Sequence, residues 1–306
     1  MKVLVTGGAG FIGTYTVKQL LEQGYQVSVV DKANCSIDDE RLKASSFYTV
    51  NIEDPALEDV FEKEKPEAVI HLAAQIDVQH SIHNPIDDAT DNIIGTINVL
   101  ENCRKYKVRK VVYSSSAAVY GRPTSSIIDE DHPLNPVSPY GISKLTPEYY
   151  IKYYAHVHGM SYAILRYANV YGKLHHSSGE GGVISIFINQ LLKGESPIIF
   201  GDGEQKRDFI YIEDVAKANV CAVMKGDDIT ANISTNTSTS LNELLTELKS
   251  RLDVKIHPIY VKGRPGEIRD SRLSNELANH YLQWSPSYNL QTGIKATLST
   301  YNSTKT

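Results

Sequence analysis

The stretch "MKVLVTGGAGFIGTYTVKQLLEQGYQVSVVD", residues 1–31, decides the fold. "KVLVTG" is a Val-rich run of strand length, and "QVSVVD" is a second one. Between them Ile12, Val17, Leu20 and Leu21 share one face of a helix, and Gly24 is placed to stop it. The turn between the first strand and the helix carries Gly7, Gly10 and Gly13 in G-x-x-G-x-x-G spacing. Glycines there permit a tight turn and let the backbone approach a pyrophosphate, while the first N–H groups of the helix face its oxygens. Asp31 ends the second strand, 18 residues beyond Gly13. A carboxylate in that place accepts from ribose hydroxyls and repels a 2′-phosphate, so the pattern predicts NAD in preference to NADP.

The alternation continues. "FYTVNI", "EAVIHLAA", "KVVYSSS" and "YAILRYANVYG" read as strands three to six. Helical patterns lie between them, in "PALEDVFEKEK", over residues 85–106 and after Pro139. Near-continuous Val/Ile runs fit strands covered on both faces. The fold class is therefore α/β, a Rossmann-type doubly wound parallel sheet with a smaller C-terminal region that covers its cleft. The expected division is residues 1–171 for the dinucleotide-binding domain and 172–306 for the rest, with parts of 208–225 packing back on the first domain. At the end of the third strand, Asn51 is placed to accept from an adenine amino group and Ile52 to pack on the ring.

Composition narrows the class. Of 306 residues, 41% are hydrophobic and 22% charged, and the net charge of −5 is spread without a basic stripe. That pattern predicts no nucleic-acid partner. No apolar run reaches the length of a membrane span. Cys35, Cys103 and Cys221 are few and far apart, as for reduced thiols in a cytoplasmic protein. His71, His175 and His176 lack carboxylate or Cys partners at ligand spacing, so no metal site is expected.

"NPVSPYGISK", residues 135–144, holds the chemistry. Ser138 is a good helix N-cap and Pro139 a good first residue. Tyr140 and Lys144 then project from one face, one turn apart. A lysine cation beside a phenol favours the phenolate, and a phenol tuned toward neutrality exchanges a proton with a substrate hydroxyl. Ser114–Ser116 end the fifth strand, at the sheet edge where open α/β folds bind ligands. Pro147 is expected to kink the helix or restart it with Thr146 as cap.

"TGGAGFIG", "SSSAAVYG", "YGISK" and "FGDGEQKRDFIYIEDVA" together resemble the extended short-chain dehydrogenase/reductase family. Within it the chain is similar to NAD-dependent sugar-nucleotide epimerases of the UDP-galactose 4-epimerase type. The resemblance implies a catalytic set of Tyr140, Lys144 and Ser116. It places Gly7, Gly10, Phe11, Ile12, Gly13, Asp31, Asn51 and Ile52 around the cofactor. Leu72, Ala73, Ala74, Asn92, Ser114 and Tyr167 join that shell, together with Tyr140 and Lys144. It implies a tyrosine that removes the sugar 4-hydroxyl proton and a lysine that depresses the tyrosine pKa. Ala117 and Ala118 stand where related dehydratases carry an Asp-Glu pair, so elimination of water is not expected.

The same resemblance puts Asn169, Val183, Phe200, Arg207, Arg264, Glu267 and Ser116 on the nucleotide sugar. Arginines suit the diphosphate because their planar fork meets two oxygens at once. "YGKLHHS" departs from the family's usual proline-arginine there, so the loop at 173–178 is expected to meet substrate differently. Ser271 stands where a bulky tyrosine restricts relatives to plain hexoses, and it predicts that N-acetylhexosamines are admitted. The implied partners are a UDP-sugar and a second copy of the chain, paired through helices near 88–106 and 140–158. A 4-epimerase of another nucleotide sugar such as UDP-glucuronate, and a catalytically silent NAD-binding regulator, stay open at this level.

Overall fold

The protein is described from a computed structural model over residues 1–32, 45–173, 182–263 and 269–302. The chain begins β1 (Lys2–Thr6), α1 (Phe11–Glu22), β2 (Gln26–Asp31), β3 (Ser46–Thr49), α2 (Leu57–Glu64), β4 (Ala68–His71), α3 (Val78–His83) and α4 (Pro85–Ala89). A π-helical turn (Thr90–Ile94) leads into α5 (Gly95–Lys105), β5 (Lys110–Ser116) and a 3-10 turn (Ala117–Tyr120). Then come α6 (Pro139–His158), β6 (Ser161–Tyr167), β7 (Asn169–Tyr171), α7 (Gly182–Leu192), β8 (Ile198–Phe200), β9 (Lys206–Arg207) and β10 (Phe209–Tyr211). The last part holds α8 (Ile212–Met224), β11 (Ile229–Ile233), β12 (Thr239–Ser240), α9 (Leu241–Leu252), β13 (Ile259–Val261), α10 (Glu276–Leu282) and α11 (Leu290–Asn302).

Seven described strands form one parallel sheet in the order β11-β6-β5-β4-β1-β2-β3. Val3 and Val5 of β1 pack with Val17 and Leu20 of α1 and with Val215 and Ala218 of α8. Leu4, between them, points to the other face and packs with Leu57 and Phe61 of α2, Val99 of α5 and Ile151 of α6. This alternation is why the strands read as unbroken apolar runs, since each neighbour is buried by a different helix layer. Side chains of this size contribute about 1.5–3 kcal/mol each when fully buried. A third cluster unites Phe187 and Ile188 of α7, Leu244 and Leu248 of α9, and Ile199 of β8 in the later part of the chain.

Strand order reverses between β1 and β4, which opens a crevice above their carboxyl ends. The Gly-rich turn after β1, Asp31 after β2, Leu72–Ala74 after β4 and Ser114–Ser116 at the end of β5 all meet there.

The structure changes several boundaries. β3 ends at Thr49, so Asn51 and Ile52 sit in the following turn, and β4 ends at His71. The pattern over 85–106 is three pieces, with the π turn in the middle. The expected sixth strand splits: β7 leaves the sheet and pairs with β10. The edge strand β11 comes from well beyond residue 171 and pairs with β6. Pro147 does not restart α6, which runs unbroken through it. Thr146 donates from Oγ1 to the Ile142 carbonyl as a mid-helix residue, not as a cap. Both flanking turns are buried against the sheet, and that packing outweighs the one backbone hydrogen bond the proline forgoes.

Candidate active site at the carboxyl edge of the sheet

A cavity of about 520 Å³ runs along the crevice. At its centre the chain turns tightly at Gly7, whose φ is +68°. A Cβ there would lie 2.6 Å from the Ala73 nitrogen, and one at Gly13 would lie 2.1 Å from the Gly7 oxygen. Only glycine lets these backbone segments come so close. No side chain caps α1 at Gly10 and no acid stands in its first turn, so its leading N–H groups face the cavity without a competing anion. The Asp31 carboxylate is tied to this turn through the Ala9 N–H at 3.0 Å. Lys32 pairs with Asp91 at 2.9 Å across the same end of the cavity.

Gly10, Phe11, Ile12, Asn51, Ile52, Leu72, Ala74, Ser114 and Tyr167, expected at the cofactor, also line this cavity. Asn51 commits its Nδ2 donor to Glu53 at 2.9 Å, which leaves its Oδ1 as the acceptor. Asn92 is the exception: it is buried behind the wall and acts through others. Its Nδ2 donates to Gln75 O, Asp88 Oδ1 and Ser143 Oγ at 3.0, 3.2 and 2.9 Å, and its Oδ1 accepts from the Gln75 N–H. The π turn carries Asn92 into this place.

The residues fit a dinucleotide: a glycine cradle for the diphosphate, a carboxylate for one ribose, and an apolar, partly hydroxylated wall at the far end. NAD would lie with its diphosphate over the α1 terminus and its adenosine near Asp31 and Asn51. We expect Gly7→Ala to weaken NAD binding at least about tenfold and to lower the unfolding free energy by about 1–3 kcal/mol. Fluorescence titration of the protein with NAD and a denaturant melt read the two effects, and parental NAD affinity would refute the close approach.

Ser116, Tyr140 and Lys144 line the far end of the same cavity. Ser138 Oγ caps α6 by accepting from the Gly141 N–H at 3.1 Å. The Tyr140 N–H, otherwise unpaired in this first turn, donates to the buried Ser81 Oγ of α3 at 3.1 Å. The Tyr140 phenol hydrogen-bonds Ser116. Lys144 lies 4.9 Å from the centre of the Tyr113 ring.

The electrostatics differ from the expected lysine effect on tyrosine. Burial raises the Tyr140 pKa, the Ser116 hydrogen bond pulls it back, and the charge of Asp88 raises it. Burial pushes Lys144 down to about 7, against the opposing pull of Asp88 and Glu148. Burial and the positive charge of Lys144 hold His71 down to about 3, so its ring is neutral at physiological pH. Thr6 and Thr96 occupy both of its ring nitrogens, at 2.6 and 2.9 Å. Among the described residues no group of three or more His, Cys, Asp or Glu side chains is placed to hold a metal ion.

Of the expected substrate residues beyond Ser116, the described Asn169, Val183, Phe200, Arg207 and Ser271 lie outside the cavity lining. Asn169 donates from Nδ2 to the Asp208 carbonyl at 3.0 Å, and Ser271 is buried with its carbonyl accepting from the Asp208 N–H at 2.8 Å. Arg207 donates from Nη1 to the Lys206 carbonyl, Phe200 ends β8, and Val183 stands in the first turn of α7. Arg264, Glu267, His175, His176, Cys35 and most of the 173–178 loop lie outside the described residues.

A family model described as the NAD dependent epimerase/dehydratase family matches residues 3–236. The chain belongs to this family. It is 46% identical to a putative UDP-glucose 4-epimerase of Methanocaldococcus jannaschii, over 96% of either chain. A UDP-glucose 4-epimerase of Thermotoga maritima, solved with UDP-glucose, superposes with a TM-score of 0.95 at 41% identity, covering 100% of both chains. A Thermus thermophilus UDP-glucose 4-epimerase solved with NAD gives a TM-score of 0.92 at 34% identity, over 99% of both.

Sequence reading missed the supports of the site. Ser81, Gln75, Asp88 and the Glu148–Arg166 pair carry no local signature, because their partners come from other elements. The capping acid Asp77 was the one readable signal, since its side chain accepts from the Gln79 and His80 N–H groups to start α3.

Proposed function

We propose that the protein is an NAD-dependent 4-epimerase of UDP-hexoses, interconverting UDP-glucose and UDP-galactose through a 4-keto sugar. The observation that supports this most is the presence of Ser116, Tyr140 and Lys144 in one cavity with the Gly-rich turn and Asp31. NAD bound there supplies the hydride acceptor, and later the donor, for C4 of the sugar. Tyr140 takes the proton of the 4-hydroxyl and returns it after the keto sugar has turned over. Ser116 hydrogen-bonds the reacting oxygen, and Lys144 holds the ribose at the nicotinamide end of the cofactor. The acids lining the described cavity are Asp31 and Asp91, both at the adenosine end. With Ala117 and Ala118 beside Ser116, the sugar end lacks, among the described residues, the acid–base pair that elimination needs.

Residues 172–306, together with Asn169 just before them, supply the UDP site in this reading. Asn169, Val183, Phe200, Arg207, Arg264 and Glu267 hold the nucleotide, and the small Ser271 leaves room for an N-acetyl group. The working form is a cytoplasmic homodimer. Ile142, Tyr149, Tyr153 and Val157 form an exposed stripe at helical spacing on α6, beside exposed Ile86 and Ile94. A second copy of the same face would cover it. Among the described residues no helix is long and apolar enough to cross a membrane.

The test is incubation of the purified protein, without added cofactor, with UDP-glucose, UDP-GlcNAc and UDP-glucuronate in turn, followed by chromatography of the products. We expect C4 epimers of the first two. Ser271→Tyr should lower turnover of UDP-GlcNAc at least about tenfold and leave UDP-glucose turnover within a factor of about three. Conversion of UDP-glucuronate alone would replace the hexose assignment, and no conversion even with NAD supplied would refute epimerisation.

A further inference from the structure

We propose that Asp88 is the positioning residue that holds Lys144 in its charged form and so sets the pH range of the Tyr140–Lys144 pair. The proposal rests on the catalytic reading of that pair. Asp88 sits in α4, is 1% exposed and does not line the cavity. It reaches the pair through one buried amide. Asn92 Nδ2 donates to Asp88 Oδ1 at 3.2 Å and to Ser143 Oγ at 2.9 Å. Ser143 in turn donates to the Tyr140 carbonyl at 3.1 Å and directly precedes Lys144.

Charge accounting singles out this carboxylate. The groups acting on Lys144 are Asp88 from α4, Glu148 from its own helix, His71 from β4, and the phenols of Tyr113 and Tyr140. His71 is neutral. Glu148 is engaged by Arg166 through two bonds, of 3.0 and 2.6 Å, and its negative charge is balanced there. Asp88 has only neutral donors: Gln75 Nε2 at 2.7 Å and the Asn92 amide, both on Oδ1. A buried carboxylate whose hydrogen-bond donors are neutral keeps its charge unbalanced, and its field acts on the buried Lys144 ammonium. The same field opposes ionisation of Tyr140. Removing the charge therefore lowers both pKa values together, and the whole rate profile moves to lower pH instead of narrowing.

Asp88→Asn removes the charge and keeps an oxygen for Gln75 and Asn92. We expect its kcat–pH profile for UDP-glucose to be displaced toward acid by about one unit, with kcat about tenfold below wild type far out on the alkaline limb. KM should stay within about threefold. Independently of turnover, the 13Cε resonance of Lys144 in lysine-labelled protein, assigned by its loss in Lys144→Met, should titrate about one unit lower in Asp88→Asn. A melt comparison with wild type shows that the variant is folded. A purely structural role predicts a lower rate at every pH with both midpoints unmoved, and that outcome overturns the proposal. If wild type fails to epimerise, the proposed activity has failed, and the lysine titration alone decides the role of Asp88.

Discussion

Tyr140→Phe should lower kcat for UDP-glucose epimerisation about a thousandfold and leave KM within about threefold. The phenol oxygen is the proton carrier in the proposed mechanism, and the substitution deletes that atom. Ser116 does not replace it, because an alkyl hydroxyl is a far weaker acid than a phenol and its oxyanion is scarcely formed at neutral pH. The fold should survive. The Tyr140 N–H to Ser81 Oγ and the Gly141 N–H to Ser138 Oγ both use backbone donors, which phenylalanine at 140 keeps. NAD binding should persist as well, because the glycine turn and Asp31 lie at the other end of the cavity. Ser116→Ala should lose less, about ten- to a hundredfold, since it removes a hydrogen bond and no proton transfer. Steady-state kinetics beside an NAD titration separate these effects. A Tyr140→Phe enzyme that keeps more than about a tenth of the wild-type kcat would remove Tyr140 from the proton-transfer role.

What was legible in the sequence was what is written in short-range periodicity. β1, α1, β2 and β5 came through because each is a compact pattern bounded by Gly, Pro or a polar residue. The first turn of α6 was readable from Ser138 and Pro139 alone, and with it the shared face of Tyr140 and Lys144. The π turn at Thr90–Ile94 was not, because one extra residue per turn does not disturb the spacing of apolar residues over 85–106. Yet that turn lodges Asn92 in the wall. The departure of β7 from the sheet was hidden too. It depends on Asp208, 39 residues away, whose carbonyl takes the Asn169 N–H at 2.9 Å. Pro147 misled for the opposite reason. Local rules say break, but Glu148 next to it is held from across the sheet by Arg166.

That pair carries the largest expected effect on stability. Glu148 is 1% exposed and Arg166 2%, and they meet through two charge-assisted hydrogen bonds. Ser115 Oγ donates to the same carboxylate at 2.6 Å, and Arg166 Nη1 donates to Tyr120 Oη at 3.0 Å. Tyr120 Oη donates onward to Asn232 Oδ1 at 2.7 Å. The chain of bonds thus ties α6, the end of β5 and the edge strand β11 together beneath the reacting serines. Burial alone would lower the guanidinium's pKa, but the Glu148 hydrogen bonds hold it above the ordinary value. Glu148→Ala leaves that cation in the interior with no counter-charge, and we expect a loss of about 3–5 kcal/mol in urea unfolding. Arg166→Met should be comparably damaging, because it strands the carboxylate. The double variant Glu148→Leu/Arg166→Met should recover most of the loss, since well-packed apolar side chains replace a buried pair at little cost. Such recovery would assign the pair to specificity of packing more than to net stability. Additive losses in the double variant would instead mean that Tyr120, Ser115 and Asn232 depend on the charges themselves, and the network would then be a direct source of stability under the active site.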